Sequence, residues 1–83
     1  MADVVYLVQP YVARGRGLVA QPARLYSDES SARRAGGTLA RFRDGVVVLS
    51  QSFDPVTLRK DRPDTLAVHG VVPEGWGGTV RAA

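Results

Sequence analysis

The sequence predicts an α+β domain in which one helix covers one face of a four-stranded, mainly antiparallel sheet, in the order ββαββ. One segment, residues 27 to 45, has the three- and four-residue apolar spacing of a helix. The segments on both sides are rich in valine and other β-favouring residues. Glycines and prolines fall between these segments, as is typical of turns and loops.

The predicted helix has a start signal, a stop signal and an unusual glycine pair. Residues 27 to 29 read Ser-Asp-Glu, so the Ser27 hydroxyl can cap the free N–H groups while acidic charge favours the helix dipole. Gly45 is expected to end the helix in the left-handed conformation. Gly36 and Gly37 each cost roughly 1 kcal/mol relative to alanine. The helix should therefore depend on tertiary packing, with close helix-sheet contact at Gly36; a hinge or a crossing partner helix is the alternative.

Two strands are expected before the helix. Residues 3 to 13 form the first, in which Pro10 indicates a sheet edge or a bulge that divides the strand. Residues 14 to 17, Arg-Gly-Arg-Gly, favour a hairpin turn. An anion site is the alternative for this turn, although it lacks the glycine spacing of phosphate-binding loops. Residues 18 to 26 return as the second strand, which Pro22 makes an edge or an irregular passage.

Two more strands are expected after the helix. Residues 46 to 53, VVVLSQSF, are the strongest strand signal and predict a central strand. Residues 54 to 64 contain two prolines and charges of both signs, which is typical of a solvated loop. Residues 65 to 72 form the last strand. The domain is thus expected to span residues 1 to 73, followed by a glycine-rich tail whose Trp76 should pack back on the body.

Both faces of the predicted sheet carry apolar residues, and this pattern predicts self-association. A helix of about 17 residues is roughly 25 Å long and covers one face of a small sheet. The predicted core on that face is Val4, Tyr6, Val8, Ala35, Leu39, Phe42, Val46, Val48, Leu66 and Val68. The other face would expose an apolar patch of the size that marks interfaces. A homodimer is therefore predicted through Val5, Leu7, Tyr11, Val47, Leu49, Phe53 and Val71. The alternatives are that the helix covers the opposite face of the first strand, or that strand two or the tail completes a monomer.

Size and composition narrow the class of protein. Eighty-three residues make one domain with a thin stability margin. The absence of cysteine excludes disulfides and thiolate metal sites. The longest apolar run, residues 4 to 8, is too short to span a bilayer, and no cleavable leader is recognised. We therefore expect a cytoplasmic protein with no membrane partner.

The sequence contains few candidate catalytic residues. His69 is the single histidine, and a nucleophilic set would have to combine it with Ser50 or Ser52 and Asp54. No ligand spacing for a metal is present. We expect no catalytic residue, no metal site and no cofactor, and therefore a small non-catalytic binding or assembly module.

Nucleic-acid or other polyanion binding is the alternative function. The chain has 11 basic and 8 acidic residues, a net charge of +3, and all but one of the basic residues are arginine. Arginine suits phosphate because its planar fork donates two parallel hydrogen bonds. The candidate arginines lie on the predicted first turn and helix: Arg14, Arg16, Arg33, Arg34, Arg41 and Arg43.

One family resemblance is visible. Residues 4 to 53 run through a strand, a Ser-Asp-Glu helix start, an alanine-rich helix and a valine-rich strand. In this order the chain resembles one half of the peptidoglycan-binding SPOR-type repeat. The second half-repeat and a transmembrane anchor are expected to be missing. The resemblance therefore implies a local order of elements and no function.

Overall fold

A computed structural model describes residues 3–59 and 62–73. The predicted glycine-rich tail with Trp76 lies outside these residues. The elements are β1 (Asp3–Arg14), β2 (Gly17–Ala20), β3 (Arg24–Tyr26), α1 (Glu29–Leu39), β4 (Gly45–Phe53) and β5 (Asp64–Gly70).

The strands form one antiparallel sheet in the order β2-β1-β4-β5, with β3 also pairing with β1. The helix α1 packs on one face. The α+β class and the central position of β4 are therefore confirmed. The sheet has five strands, however, because the predicted second strand is divided into β2 and β3.

Two prolines explain this division. The Pro10 carbonyl accepts a hydrogen bond from Gln21 N at 3.0 Å. In an antiparallel sheet the N–H and C=O of one residue point to the same neighbouring strand. At residue 10 the N–H would also point toward Gln21, but proline has no N–H to donate. The chain leaves the sheet there, over residues 21–23, where Pro22 lies. The strand next to β1 is therefore interrupted opposite Pro10. Strand β1 itself continues through Pro10, so the prediction that Pro10 divides the first strand is wrong.

Asp28 caps the helix, one residue after the predicted Ser27. Asp28 is extended (φ −136°, ψ 153°), and its carboxylate accepts hydrogen bonds from Ser31 N at 2.8 Å, Ser31 Oγ at 2.8 Å and Ser30 Oγ at 2.9 Å. These bonds, the backbone one above all, lower the pKa of Asp28. A carboxylate whose pKa is lowered by folding stabilises the folded state above its unfolded pKa, and this stabilisation is lost on acidification through the folded pKa.

Asp28→Asn should keep the cap and remove its acid sensitivity. Asparagine caps helices about as well as aspartate, so the urea midpoint near neutral pH should change little. Below about pH 4, where an ordinary aspartate begins to be protonated, the variant should lose less of its stability than the natural chain. Urea unfolding followed by circular dichroism between neutral and acidic pH measures the difference. Parallel acid curves for the two proteins would contradict the role of Asp28.

The helix ends at Leu39, well before the predicted stop at Gly45. The chain then tightens into three-residue turns, with Arg41 N donating to Thr38 O at 3.2 Å and Phe42 N to Leu39 O at 2.9 Å. Phe42 therefore falls beyond the helix and is 71% exposed. The prediction that Phe42 belongs to the core is wrong, because a three-residue spacing places Phe42 on the same face as Leu39 only if the helix continues to residue 42.

The core under the helix lies where the sequence predicted it. Its fully or nearly fully buried members are Val8, Ala32, Leu39, Val46 and Val48, with Tyr6, Tyr26, Ala35, Leu66 and Ala67 packed against them. The close contact at Gly36 is confirmed, since a Cβ there would run into Val48 Cγ2. Val4 was also expected in the core but is 44% exposed. A helix of 11 residues is only about 16 Å long. The buried cluster therefore does not extend to the N-terminal end of β1, where Val4 lies.

A β-bulge in β5 reverses one predicted face. Val48 pairs with Ala67 and Leu49 with Thr65, which leaves Leu66 as the extra residue. A bulge places an additional residue in one strand and shifts the alternation of faces by one. Leu66 and Ala67 both pack toward the helix, whereas Val68 pairs with Val47 on the other side. The prediction that Val68 shares the helix-side core with Leu66 is therefore wrong.

Candidate functional site

The sheet face opposite the helix carries apolar side chains from β1 and β4, and we call it the helix-free face. Strand pairing places Leu7 opposite Leu49 and Leu25, Gln9 opposite Val47, and Tyr11 opposite Ala20. All six residues predicted from strands β1 and β4 lie on this face: Val5, Leu7, Tyr11, Val47, Leu49 and Phe53. The structure thus brings most of the predicted interface together.

The middle of the helix-free face is already packed within the monomer. Tyr11, Val47 and Leu49 are buried there, and Leu7, Leu18 and Val72 pack against them. Burial raises the pKa of the Tyr11 hydroxyl from its usual value because the charged form loses hydration. Tyr11, Val47 and Leu49 therefore expose little of their own surface to a partner.

One end of the helix-free face carries an open apolar groove of about 560 Å³. It is lined by Val5, Leu7, Leu25, Leu49, Gln51, Phe53 and Leu58. Leu25 is 68% exposed and Leu58 is 74% exposed, although both are large and apolar. Val71, the remaining predicted interface residue, is exposed and lines a different groove with Leu18 and Pro73. The accessible apolar surface is therefore concentrated at the Leu25 and Leu58 end.

Leu58 is held at this groove in a strained conformation. Its φ is +60°, and it is the only non-glycine residue with positive φ among the described residues. Leu58 N donates to Asp54 O at 2.7 Å, and Asp54 Oδ1 accepts from Val56 N at 2.8 Å. The left-handed conformation costs roughly 1–2 kcal/mol for a residue with a Cβ. Such strain concentrates at functional positions, and here it coincides with an exposed leucine at an apolar groove.

The predicted basic residues fall into separate places. Arg14 ends β1 and Arg16 lies in the β1–β2 turn, and the antiparallel pairing of β1 with β2 confirms the predicted hairpin. Arg33 forms an ion pair with Glu29 at 2.7 Å, which reduces its availability to a ligand. Arg34 is exposed on α1, and Arg41 and Arg43 follow the helix. The six predicted arginines therefore do not form one surface.

Arg24 completes a basic surface that sequence reasoning missed. It lines one groove with Arg34 and a second groove with Arg43, and we call these three residues the arginine flank. Arg24 is absent from the predicted set because that set contains only arginines of the first turn and the helix. The signal that identifies it is Pro22, which starts a new strand at Arg24 and sets that side chain beside the helix.

The residues of a conceivable nucleophilic set are not brought together. His69 pairs with Val46 at one end of β4, whereas Ser52 and Asp54 lie at or beyond its other end. Six residues of strand separate Val46 from Ser52, about 20 Å at 3.3 Å per residue. The absence of catalysis stays a prediction.

Residues 3–59 and 62–73 bring together no group of three or more His, Cys, Asp or Glu side chains that could hold a metal ion. The helix formed within this part of the chain is not long and apolar enough to cross a membrane.

Neither a protein-family model, nor a curated protein, nor a solved structure matches this chain. The functional interpretation therefore depends on the surfaces described above.

Proposed function

We propose that the protein is a small non-catalytic binding and assembly module that acts as a homodimer through its helix-free face. The observation that carries this proposal is the groove of about 560 Å³ with Leu25 and Leu58 exposed at its rim. Large exposed apolar residues grouped around a depression are typical of interaction sites. A leucine at the rim of one copy has the chemistry to enter the groove of the other.

A second copy of the chain is the partner that this surface fits best. The net charge of +3 opposes association of two copies, yet every side chain that lines the groove is uncharged. Contact through this face therefore avoids bringing like charges together. A two-fold axis lets each copy contribute the same rim and the same groove, so one surface supplies both halves of the interface.

Burial of apolar surface would be the main favourable contribution to such a dimer. Burial of apolar surface stabilises by about 25 cal/mol per Å², so a few hundred Å² per subunit gives several kcal/mol before the cost of association. Leu49 lines the groove and is packed in one buried cluster with Tyr11 and Val47, so this part of the groove is formed before binding. A preformed surface loses less conformational entropy on binding.

Leu25→Asp should dissociate the dimer without unfolding the subunit. Leu25 is exposed, so a charge there is tolerated in the monomer and becomes buried only in the dimer. Loss of a hot-spot side chain costs about 2 kcal/mol or more, and symmetry applies the change twice, so the dissociation constant should rise by roughly 100-fold or more. Leu49 is unsuitable for this test because it is buried and Leu49→Asp would unfold the subunit. Light scattering coupled to size-exclusion chromatography measures the mass.

Phe42→Asp is the matched control. Phe42 is as exposed as Leu25 but does not line the apolar groove, so this variant should keep the mass of the natural protein. Circular dichroism verifies that both variants are folded. Equal masses for the two folded variants would contradict association through the helix-free face.

A further inference from the structure

The arginine flank begins with a groove between β3 and α1. Arg24 pairs with Val8, and Val8 belongs to the helix-side core, so the Arg24 side chain projects to the side of the sheet that carries the helix. There it lines a groove of about 300 Å³ with Arg34 and with the hydroxyl residues Ser31 and Thr38. Two guanidinium groups and the Thr38 hydroxyl give this groove hydrogen-bond donors for phosphate oxygens, whereas the Ser31 hydroxyl already donates to Asp28.

A second groove continues from the first. Arg24 also lines a depression of about 280 Å³ together with Gln21 and Arg43. Arg43 is held in place there, since its Nε donates to Gln21 Oε1 and its Nη1 donates to Phe42 O at 3.0 Å. Gln21 is fixed in turn because its carbonyl accepts from Gln9 Nε2. The three arginines thus follow one another along the flank, with Arg24 shared by both grooves.

The flank is not neutralised by neighbouring carboxylates. No acidic residue lines either groove, and among the described residues neither Arg24 nor Arg34 has an ion-pair partner. Asp28 is close enough to Arg34 for the guanidinium to contribute, as the smallest of several causes, to the lowered pKa of that carboxyl. The Asp28 oxygens are already engaged by Ser30 and Ser31. The flank therefore retains most of its positive charge for a ligand.

An exposed aromatic residue directly precedes Arg43 in the chain. Phe42 is 71% exposed and is joined to Arg43 both by the peptide bond and by the hydrogen bond from Arg43 Nη1 to its carbonyl. Arg41 lies on its other side along the chain. Positive charge that follows a groove, combined with an accessible aromatic ring, is the arrangement by which proteins hold single-stranded nucleic acid.

We propose that the arginine flank binds a single strand of nucleic acid, with Arg24, Arg34 and Arg43 contacting successive phosphates and Phe42 stacking on a base. Consecutive grooves that share one arginine suit a polymer with regularly spaced phosphates better than they suit an isolated anion. Every base has a π-face, so stacking on Phe42 requires no particular sequence. Duplexes keep their bases stacked internally and do not offer one to Phe42.

Binding at the arginine flank goes beyond self-association and does not depend on it. The arginine flank lies on the helix side of the sheet, whereas Leu25 and the apolar groove lie on the helix-free face. Failure of the dimer would leave the flank unchanged, and failure of nucleic-acid binding would leave the mass unchanged.

Fluorescence anisotropy of labelled oligonucleotides tests the proposal. The probes are oligo(dT), oligo(U) and a DNA duplex, each of about 15 nucleotides per strand, the upper end of single-domain site sizes. The natural protein should bind the single strands at about 50 mM salt, with an affinity that falls as salt rises. Comparison of oligo(dT) with oligo(U) distinguishes DNA from RNA as the preferred strand. The duplex should bind more weakly than either single strand.

Three variants separate the contributions of charge and stacking. The double variant Arg24→Ala/Arg34→Ala should reduce the slope of log affinity against log salt by about 0.7 for each phosphate that the protein no longer neutralises. Arg59→Ala removes an exposed arginine from the β4–β5 loop and should leave the slope unchanged. Phe42→Ala should weaken binding roughly tenfold, the effect expected for one stacked base, with no change in slope.

Several outcomes would overturn the proposal. The first is the absence of any anisotropy change with either single strand at low salt. A second is an equal decrease in slope for the double variant and for Arg59→Ala, which would indicate only a general attraction of net charge. Equal or tighter binding of the duplex, or full affinity in a folded Phe42→Ala variant, would rule out the single-strand assignment.

Discussion

Gly70→Ala is expected to lower the free energy of unfolding by about 2–5 kcal/mol, the sum of a left-handed alanine and an overpacked contact. Gly70 has φ +68°, and a Cβ added there would collide with the carbonyl oxygen of Asp44. That oxygen cannot withdraw easily, because it accepts from Val71 N at 2.9 Å. Asp44 is also fixed to β1, through Tyr11 O at 3.1 Å and Ala13 N at 2.6 Å. The clash would therefore disturb three strands at once.

Gly15→Ala separates the cost of a left-handed alanine from the cost of the steric contact. Gly15 has φ +58°, but nothing lies within 4 Å of a Cβ added there. This variant should lose only the left-handed cost, about 1–2 kcal/mol. Urea unfolding at one fixed protein concentration compares the two variants, since association would make stability depend on concentration. Equal losses would show that the contact between Gly70 and Asp44 is unimportant.

Gly36→Ala is expected to destabilise the protein although alanine is the better helix former. The added Cβ would run into Val48 Cγ2, and Val48 is fully buried against the helix. Overpacking of this kind costs about 1–3 kcal/mol, whereas replacement of glycine within a helix returns up to about 1 kcal/mol. The net expected effect is a loss of up to about 2 kcal/mol.

Gly37→Ala is the matched control within the same helix. Nothing lies within 4 Å of a Cβ added at Gly37, so only the helix propensity changes and stability should rise by up to about 1 kcal/mol. The two neighbouring glycines should thus give effects of opposite sign in urea unfolding. Stabilisation by both substitutions would mean that the helix does not approach the sheet closely at Gly36.

The sequence was sufficient to predict the features that depend on periodicity. Alternation along β1 and β4 assigned Tyr6, Val8, Val46 and Val48 to the face that the helix covers because side chains in a strand alternate strictly. The glycine pair correctly indicated close packing at Gly36. Pro22 correctly indicated an irregular second strand. These signals are local, so one sequence contains them in full.

The features that were missed depend on contacts between distant residues. Gly45 was expected to end the helix, yet it lies in β4 where a Cβ would collide with the carbonyl of Val71. The bulge at Leu66 results from pairing with β4 and leaves no local signal, so alternation misplaced Val68. Leu25 and Leu58, the exposed residues of the groove, were absent from the predicted interface for the same reason. One belongs to a divided strand and the other to a loop.

The mass of the natural protein in solution tests the central claim most directly. Sedimentation equilibrium at tens of micromolar requires no variant and no ligand. Association through the helix-free face predicts a species of twice the 8.9 kDa chain mass, in equilibrium with the monomer on dilution. A single species at 8.9 kDa across the whole concentration range would contradict the homodimer.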